Sequence, residues 1–232
     1  MLYAFRGNTY AFFKDYDKAI KDYTMQIETD PGSAYGLTSR GAAYTIIGEF
    51  DKARRDYNKM LRAENPSIRG GGLAGLAWTE FIAGNFAASV RYVDQYFRSN
   101  DEYSEIILLR HISLARMGRK EPREQLKTLA LKSMASYEKP PYYEKELTSL
   151  FPLATLKLFV GNATDNEYGE LLTRVRPDGL LICQWNFYFG EKVLLDGDKE
   201  KARQHLQKAA DECGGDTREL AAAKAELTRI RW

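Results

Sequence analysis

The apolar and polar positions of this chain alternate as a series of short amphipathic helices, and the series repeats. "YAFRGNTYAFFKDYDKAIKDYTMQIETDP", from Tyr3, aligns with "LTSRGAAYTIIGEFDKARRDYNKMLRAEN", from Leu37, at a constant offset of 34 residues. Arg6-Gly7 falls on Arg40-Gly41, Tyr10 on Tyr44, Ala19 on Ala53, and Asp22-Tyr23 on Asp56-Tyr57. A fixed period of this length marks an array in which each unit buries its apolar face only against its neighbours. Each copy predicts two antiparallel helices. Gly7 and Gly41 sit on the first helix of each pair, facing Ala19 and Ala53 on the second, so that the two can approach closely. Larger residues fill the space between neighbouring pairs, as ridges pack into grooves. Acidic residues at the start of the second helices (Asp15, Asp17; Glu49, Asp51) suit the positive end of the helix dipole.

The helical pattern runs on to the end of the chain. "GGGLAGLAWTEFIAGNFAASVRYVDQYFRSND" realigns with the second copy at an offset of 36, making a degenerate third. "EYSEIILLRHISLARMG" and "EPREQLKTLALKSMA" form a weaker pair, followed by the Pro/Tyr-rich "SYEKPPYYEK". "FPLATLKLFVGN" predicts a helix closed at Gly161-Asn162, and "TDNEYGELLTRV" a short one. A copy of the repeat returns at Gly190, Val193, Gly197, Ala202, Leu206 and Ala209, and "DTRELAAAKAELTRI" is an amphipathic helix suited to cap the stack. No segment reads as a strand. The expected fold is all-α: a superhelix of stacked helical hairpins with a divergent middle. Its units are residues 1–33, 34–67, 68–101, a divergent segment 102–180, a C-terminal repeat 181–214 and a capping helix 215–232.

The residues at the repeating positions resemble the tetratricopeptide repeat (TPR). Tyr3, Gly7, Tyr10, Ala19, Tyr23 and Pro31 occupy the signature in the first copy; Leu37, Gly41, Tyr44, Ala53 and Tyr57 do so in the second. Further along, "LKLFVGNATDNEYGELL" and "CQWNFYFGEKVLLDGDKEKARQHLQKAA" resemble the C-terminal half of the NlpI-type TPR lipoproteins. That resemblance implies a lipid-anchored, homodimeric adaptor of the bacterial periplasm and outer membrane. Such an adaptor binds cell-wall hydrolases and a periplasmic protease. The lipid-attachment cysteine of that family has no counterpart here. "MLYAFRGNTY" has no apolar export region and reads as opening inside a helix, so the alternative is a cytoplasmic TPR module of a larger assembly.

Composition narrows the chemistry. The net charge is +2 with acidic and basic residues interleaved, so no basic stripe points to nucleic acid. No apolar run is long enough to cross a bilayer, so no membrane insertion by this chain is expected. "RGGGLAGLAW" carries Gly70, Gly72 and Gly75 in the G-x-G-x-x-G spacing of a dinucleotide loop, with Asp94 near the ribose-carboxylate distance. That loop requires a preceding strand, and a helix precedes it here. The expectation is therefore packing glycines, with Gly70 to Gly72 forming the turn into the third copy, and no cofactor. His111 and His205 have no partnering nucleophile or orienting acid in sequence; His205, in "RQHLQK", is expected on a solvated helix face. No metal-ligand spacing occurs, and no enzyme activity is expected.

What remains is binding. A TPR stack presents a concave face lined by its first helices. The matching positions are Ala4, Asn8, Ala11 and Phe12; Tyr35, Thr38, Ala42, Thr45 and Ile46; and Gly71, Ala74, Trp78, Phe81 and Ile82. We read Asn8, Phe12, Tyr35, Thr38, Thr45, Trp78 and Phe81 as an apolar and aromatic groove for a protein or peptide partner. The other reading of Trp78 and Phe81 is core between repeats. A small-molecule site in the irregular middle is the less favoured alternative. Cys183 and Cys213 flank the last hairpin at neighbouring ends, which allows a disulfide; two buried thiols are the alternative.

Overall fold

The structure, a computed structural model, describes residues 2–98, 104–119, 125–131, 151–161, 179–213 and 217–230, with positions 164, 166, 167, 169 and 170. The Pro/Tyr-rich stretch lies outside the described residues. The order is α1 Leu2–Phe12, α2 Tyr16–Thr29, α3 Ala34–Ile46, α4 Phe50–Met60, α5 Pro66–Ile82, α6 Phe86–Phe97, α7 Ser104–Arg116, α8 Phe151–Val160, α9 Gly179–Leu195, α10 Lys199–Glu212 and α11 Arg218–Arg229. Residues 125–131 are also helical. Among the described residues there is no strand.

Local chemistry sets the ends of these helices. Asp15 and Asp198 accept hydrogen bonds from the backbone amides of Lys18 and Lys201, and so cap α2 and α10. Ser33 caps α3, and Asn65 caps α5 with Pro66 in its first turn. Thr164 and Glu167 exchange side-chain-to-backbone hydrogen bonds in a capping box; those bonds hold the Glu167 carboxyl below the usual carboxylate range. Between paired helices the chain turns through a left-handed residue. Glycine supplies it at Gly48 (φ 80°), Gly84 (φ 84°), Gly118 (φ 69°) and Gly197 (φ 95°), whereas the first hairpin uses Lys14 at φ 63°.

The hairpins α1–α2, α3–α4 and α5–α6 stack in sequence, α3 resting on α2 and α5 on α4; α7 continues the stack on α6, and α9–α10 form a further hairpin. The ring of Tyr57 on α4 shows how. A Cβ on Gly41, in the same hairpin, would lie 2.8 Å from that ring, and a Cβ on Gly75, in the next, would lie inside it. A Cβ on Gly72 would sit 2.9 Å from the Tyr57 carbonyl oxygen. The glycines expected to form a turn at 70–72 are instead helical, because α5 begins at Pro66. They remove side chains where α5 crosses α4. An ion pair ties each of the first two hairpins at equivalent places: Arg6 to Asp22 at 2.6 Å, and Arg40 to Asp56 at 2.7 Å.

The core is unevenly divided. Two small clusters serve the N-terminal hairpins, one around Tyr23 and Ala43, the other around Tyr57 and Leu76. One large cluster joins α5 to α11, with Trp78, Phe81, Phe187, Tyr188, Leu206 and Leu220 fully or almost fully buried. Helix α11 closes it. Beyond covering α9 and α10, it runs back across the concave side to touch α5 and α3.

Candidate partner-binding groove

On the concave side, α1 and α3 leave an open cleft between them. Its lining includes Asn8, Ala11, Tyr16, Tyr35, Thr38, Ser39, Ala42 and Ile46, with no charged side chain among them. The Asn8 amide sits at its centre: its oxygen accepts from the Tyr23 hydroxyl at 2.9 Å, and its nitrogen donates to the Tyr35 hydroxyl. Asn8 thus fixes a tyrosine from the next repeat whose ring is 47% exposed. Thr38 is exposed, and its hydroxyl reaches the Met60 sulfur at 3.5 Å. An uncharged surface of phenol, amide and hydroxyl groups beside alanine and isoleucine suits backbone and apolar side chains of a peptide.

The other expected groove residues lie elsewhere. Thr45 is buried; its hydroxyl meets that of Thr79 at 2.9 Å, and each also bonds the carbonyl four residues before it. This pair joins α3 to α5, with Thr45 at the buried edge of a second cleft described below. Phe12 is 61% exposed but is not among the residues that line the cleft; it stands edge-to-face with Phe13 at a centroid distance of 5.3 Å. Trp78 and Phe81, at 1% and 0% exposure, lie beneath α11. The Arg218 guanidinium sits 5.3 Å from the Trp78 ring, and Arg229 donates to the carbonyls of Phe81 and Ile82 at the end of α5. In this structure the C-terminal part of the groove is filled by the chain's own last helix, and both aromatics are core.

A second, shallower cleft follows where α11 meets the α3–α4 turn, bordered by Ile46, Ile47, Phe50, Ala221, Lys224, Ala225 and Thr228. Ile46 borders both clefts.

The residues that could carry chemistry are occupied structurally. Asp94, at the place of a ribose carboxylate, pairs with Arg110 at 2.7 Å and links α6 to α7. His205 is half-buried rather than solvated: its Nδ1 lies 2.9 Å from the Asn186 amide oxygen, and its ring stands edge-on to Trp185 and Phe189. The apolar first helix of the last hairpin draws it in. His111 packs edge-on to Phe159. Cys183 and Cys213 are joined as a disulfide across that hairpin, their Cα atoms 4.8 Å apart. Among the described residues no group of acidic, histidine or cysteine side chains is arranged to hold a metal ion, and no helix is long and apolar enough to cross a membrane.

One polar cluster has no signal in sequence. Arg116 on α7 reaches Glu191 on α9 and, at 3.0 Å, Glu226 on α11, while Arg229 also pairs with Glu226. Both glutamate side chains are fully buried. Burial pushes the Glu191 carboxyl up to about 8, against the pull of Arg116. The two carboxylates are sealed from solvent, and the cluster clamps three helices. Its members lie 75 and 110 residues from Arg116, which no local pattern could link. Another buried carboxylate, Glu80, lies below its ordinary range: burial opposes this, but hydrogen bonds from Arg54 and Asn85 outweigh it.

No family model matches the sequence, and no curated protein matches it. Among solved structures the chain is similar to a tetratricopeptide repeat protein from Parabacteroides merdae ATCC 43184. The TM-score is 0.54 at 19% identity, over 99% of this chain and 84% of that one. At this identity the likeness speaks for the fold. With the stacked hairpins described above, it makes the fold an all-α helical repeat solenoid, TPR-like in architecture.

Proposed function

We propose that this protein is a non-catalytic scaffold or adaptor that binds a protein segment on its concave face, in the open part between α1 and α3. The observation that carries this reading is the uncharged cleft around the Asn8–Tyr35 pair, held between two repeats and left uncovered by α11. The fold supports it, since helical repeat stacks bind partners along extended concave surfaces. The finer version is an adaptor of the bacterial envelope, similar to the NlpI-type lipoproteins and serving cell-wall hydrolases and a periplasmic protease. The Cys183–Cys213 bridge favours such an oxidising compartment over a cytoplasmic module. The test is a pull-down from bacterial envelope extract with the wild-type chain and with Thr38→Arg. A partner lost with Thr38→Arg supports the site; one held equally by the folded variant sinks it.

Self-association through α1 is a second part of this reading. Leu2, Phe5, Phe12 and Phe13 are 74%, 69%, 61% and 73% exposed on one side of the first hairpin. At roughly 150–250 Å² per aromatic side chain, they expose on the order of 500 Å² of apolar surface, a large part of the roughly 800 Å² each partner contributes to a stable interface. Sedimentation of wild type and Phe5→Glu tests it: a dimer that dissociates with the substitution is expected, and a monomeric wild type at tens of micromolar refutes it.

A further inference from the structure

The two clefts that share Ile46 differ in one respect. The first, between α1 and α3, is lined without charge. The second brings in the outward face of α11, and there Lys224 stands exposed. No acidic residue lines either cleft. The other cation there, Arg229, is already committed to Glu226 and to the carbonyls of Phe81 and Ile82. Lys224 makes no ion pair among the described residues. Ala221, Ala225 and Thr228 leave space beside it, and Ile46, Phe50 and Ile82 supply an apolar floor.

From this we propose that α11 is one wall of the partner site, and that the segment bound there is apolar where it crosses Ile46 and carries an acidic side chain against Lys224. The inference rests on the concave-groove reading above and adds to it a direction and a charge. A chain lying along Tyr35, Thr38 and Ala42 leaves the first cleft over Ile46 and meets α11 next. The uncharged first cleft disfavours a buried carboxylate there, because nothing compensates its desolvation. The cationic end of the second favours one. That end is shallow and open to solvent, so the bound chain passes beyond it and the carboxylate belongs to a side chain rather than to a chain terminus. The final helix therefore both fills the groove over Trp78 and Phe81 and re-forms a recognition surface on its outer side.

The experiment selects binders for the full-length chain from a displayed library of random twelve-residue peptides and measures one enriched peptide by fluorescence anisotropy. Enriched peptides are expected to combine aliphatic or aromatic residues with Asp or Glu. Their affinity is expected to fall about tenfold with Lys224→Glu, to survive Lys224→Arg, and to be unchanged by C-terminal amidation of the peptide. Both Lys224 and Thr38 are exposed, so neither variant threatens the fold. Peptides lost with Thr38→Arg but indifferent to Lys224→Glu overturn the role of α11 while leaving the groove reading intact. Binding abolished by amidation overturns the side-chain assignment. Peptides indifferent to both variants, or no enrichment at all, overturn the proposal and the groove reading together.

Discussion

The two ends of this molecule treat the same hairpin unit in opposite ways. At the N-terminal end, α1 shows solvent the side that α3 and α5 bury. Counting forward by 34 and then 36 residues, Leu2 corresponds to Gly36 and Gly72, and Phe5 to the half-buried Ser39 and to Gly75. In the inner repeats these places are small because a helix lies on them: a Cβ on Gly36 would meet Ile27, and one on Gly75 would meet Tyr57. In the first repeat they are large and uncovered. At the C-terminal end the described residues cover that face. Helix α11 lies across α9, α10, α5 and α3, and every apolar residue from Leu220 to Ala223 is buried. A repeat stack needs its last apolar face covered. Here α11 meets that need at one end, and among the described residues no helix lies on the outer side of α1 at the other. The larger part of the described core accordingly lies toward the C-terminal end.

The sharpest way to break this contrast is to remove the clamp of the sealed end. Arg116→Ala leaves Glu191 and Glu226 fully buried with only Arg229 nearby. It is expected to cost about 3–5 kcal/mol in denaturant unfolding. Leu2→Ala at the open end is expected to cost the isolated chain less than about 0.5 kcal/mol. Equal losses would mean that the core does not depend on α11.

A smaller effect follows from acidity. The Glu191 carboxyl titrates near 8 when folded and near the ordinary 4.5 when unfolded. The folded state therefore holds the extra proton in between. Stability from this group is greatest below pH 4.5 and falls as pH rises toward 8. Glu219 on α11, raised by burial and by Glu105, adds in the same direction. Between pH 6 and 8.5 unfolding should ease by about 1–3 kcal/mol, and Glu191→Gln should flatten that slope. A slope unchanged in the variant would remove Glu191 from the account.

The smallest effect lies at the open end. Lys14 holds the left-handed turn for which four other hairpin turns use glycine. Lys14→Gly should raise stability by about 1 kcal/mol, measured as a higher Tm, because it relieves the Cβ clash. A lower Tm would mean that the Lys14 side chain stabilises the turn by more than its strain costs.

How much of this was legible in advance varies by residue. The 34-residue offset located the hairpins, and Gly7, Gly41 and Gly190 were placed against the second helices: a Cβ on Gly190 would lie 3.0 Å from Leu206. The groove was legible in part. Asn8, Tyr35 and Thr38 surround the open cleft because the first two copies keep their period. Thr45 is buried against Thr79 and borders the second cleft rather than the first. Trp78 and Phe81 sit in the third copy, and their position along the repeat is that of groove residues. What covers them is a helix about 140 residues further along the chain, so their burial could not be read from the repeat. The glycines before them were read correctly as packing residues and wrongly as a turn, because Asn65 and Pro66 start α5 earlier than the glycine run suggested.

By itself, the sequence determined the helices, their pairing and the close contacts within each hairpin. Those depend on small residues, caps and turns within one period, where the interacting groups are near in the chain. The tertiary structure alone decided where α11 lies, which glutamates share Arg116, and how much of the concave face stays open. These contacts join residues 75 to 148 positions apart. An amphipathic stripe states that a helix must be buried, and only the assembled stack determines which surface buries it.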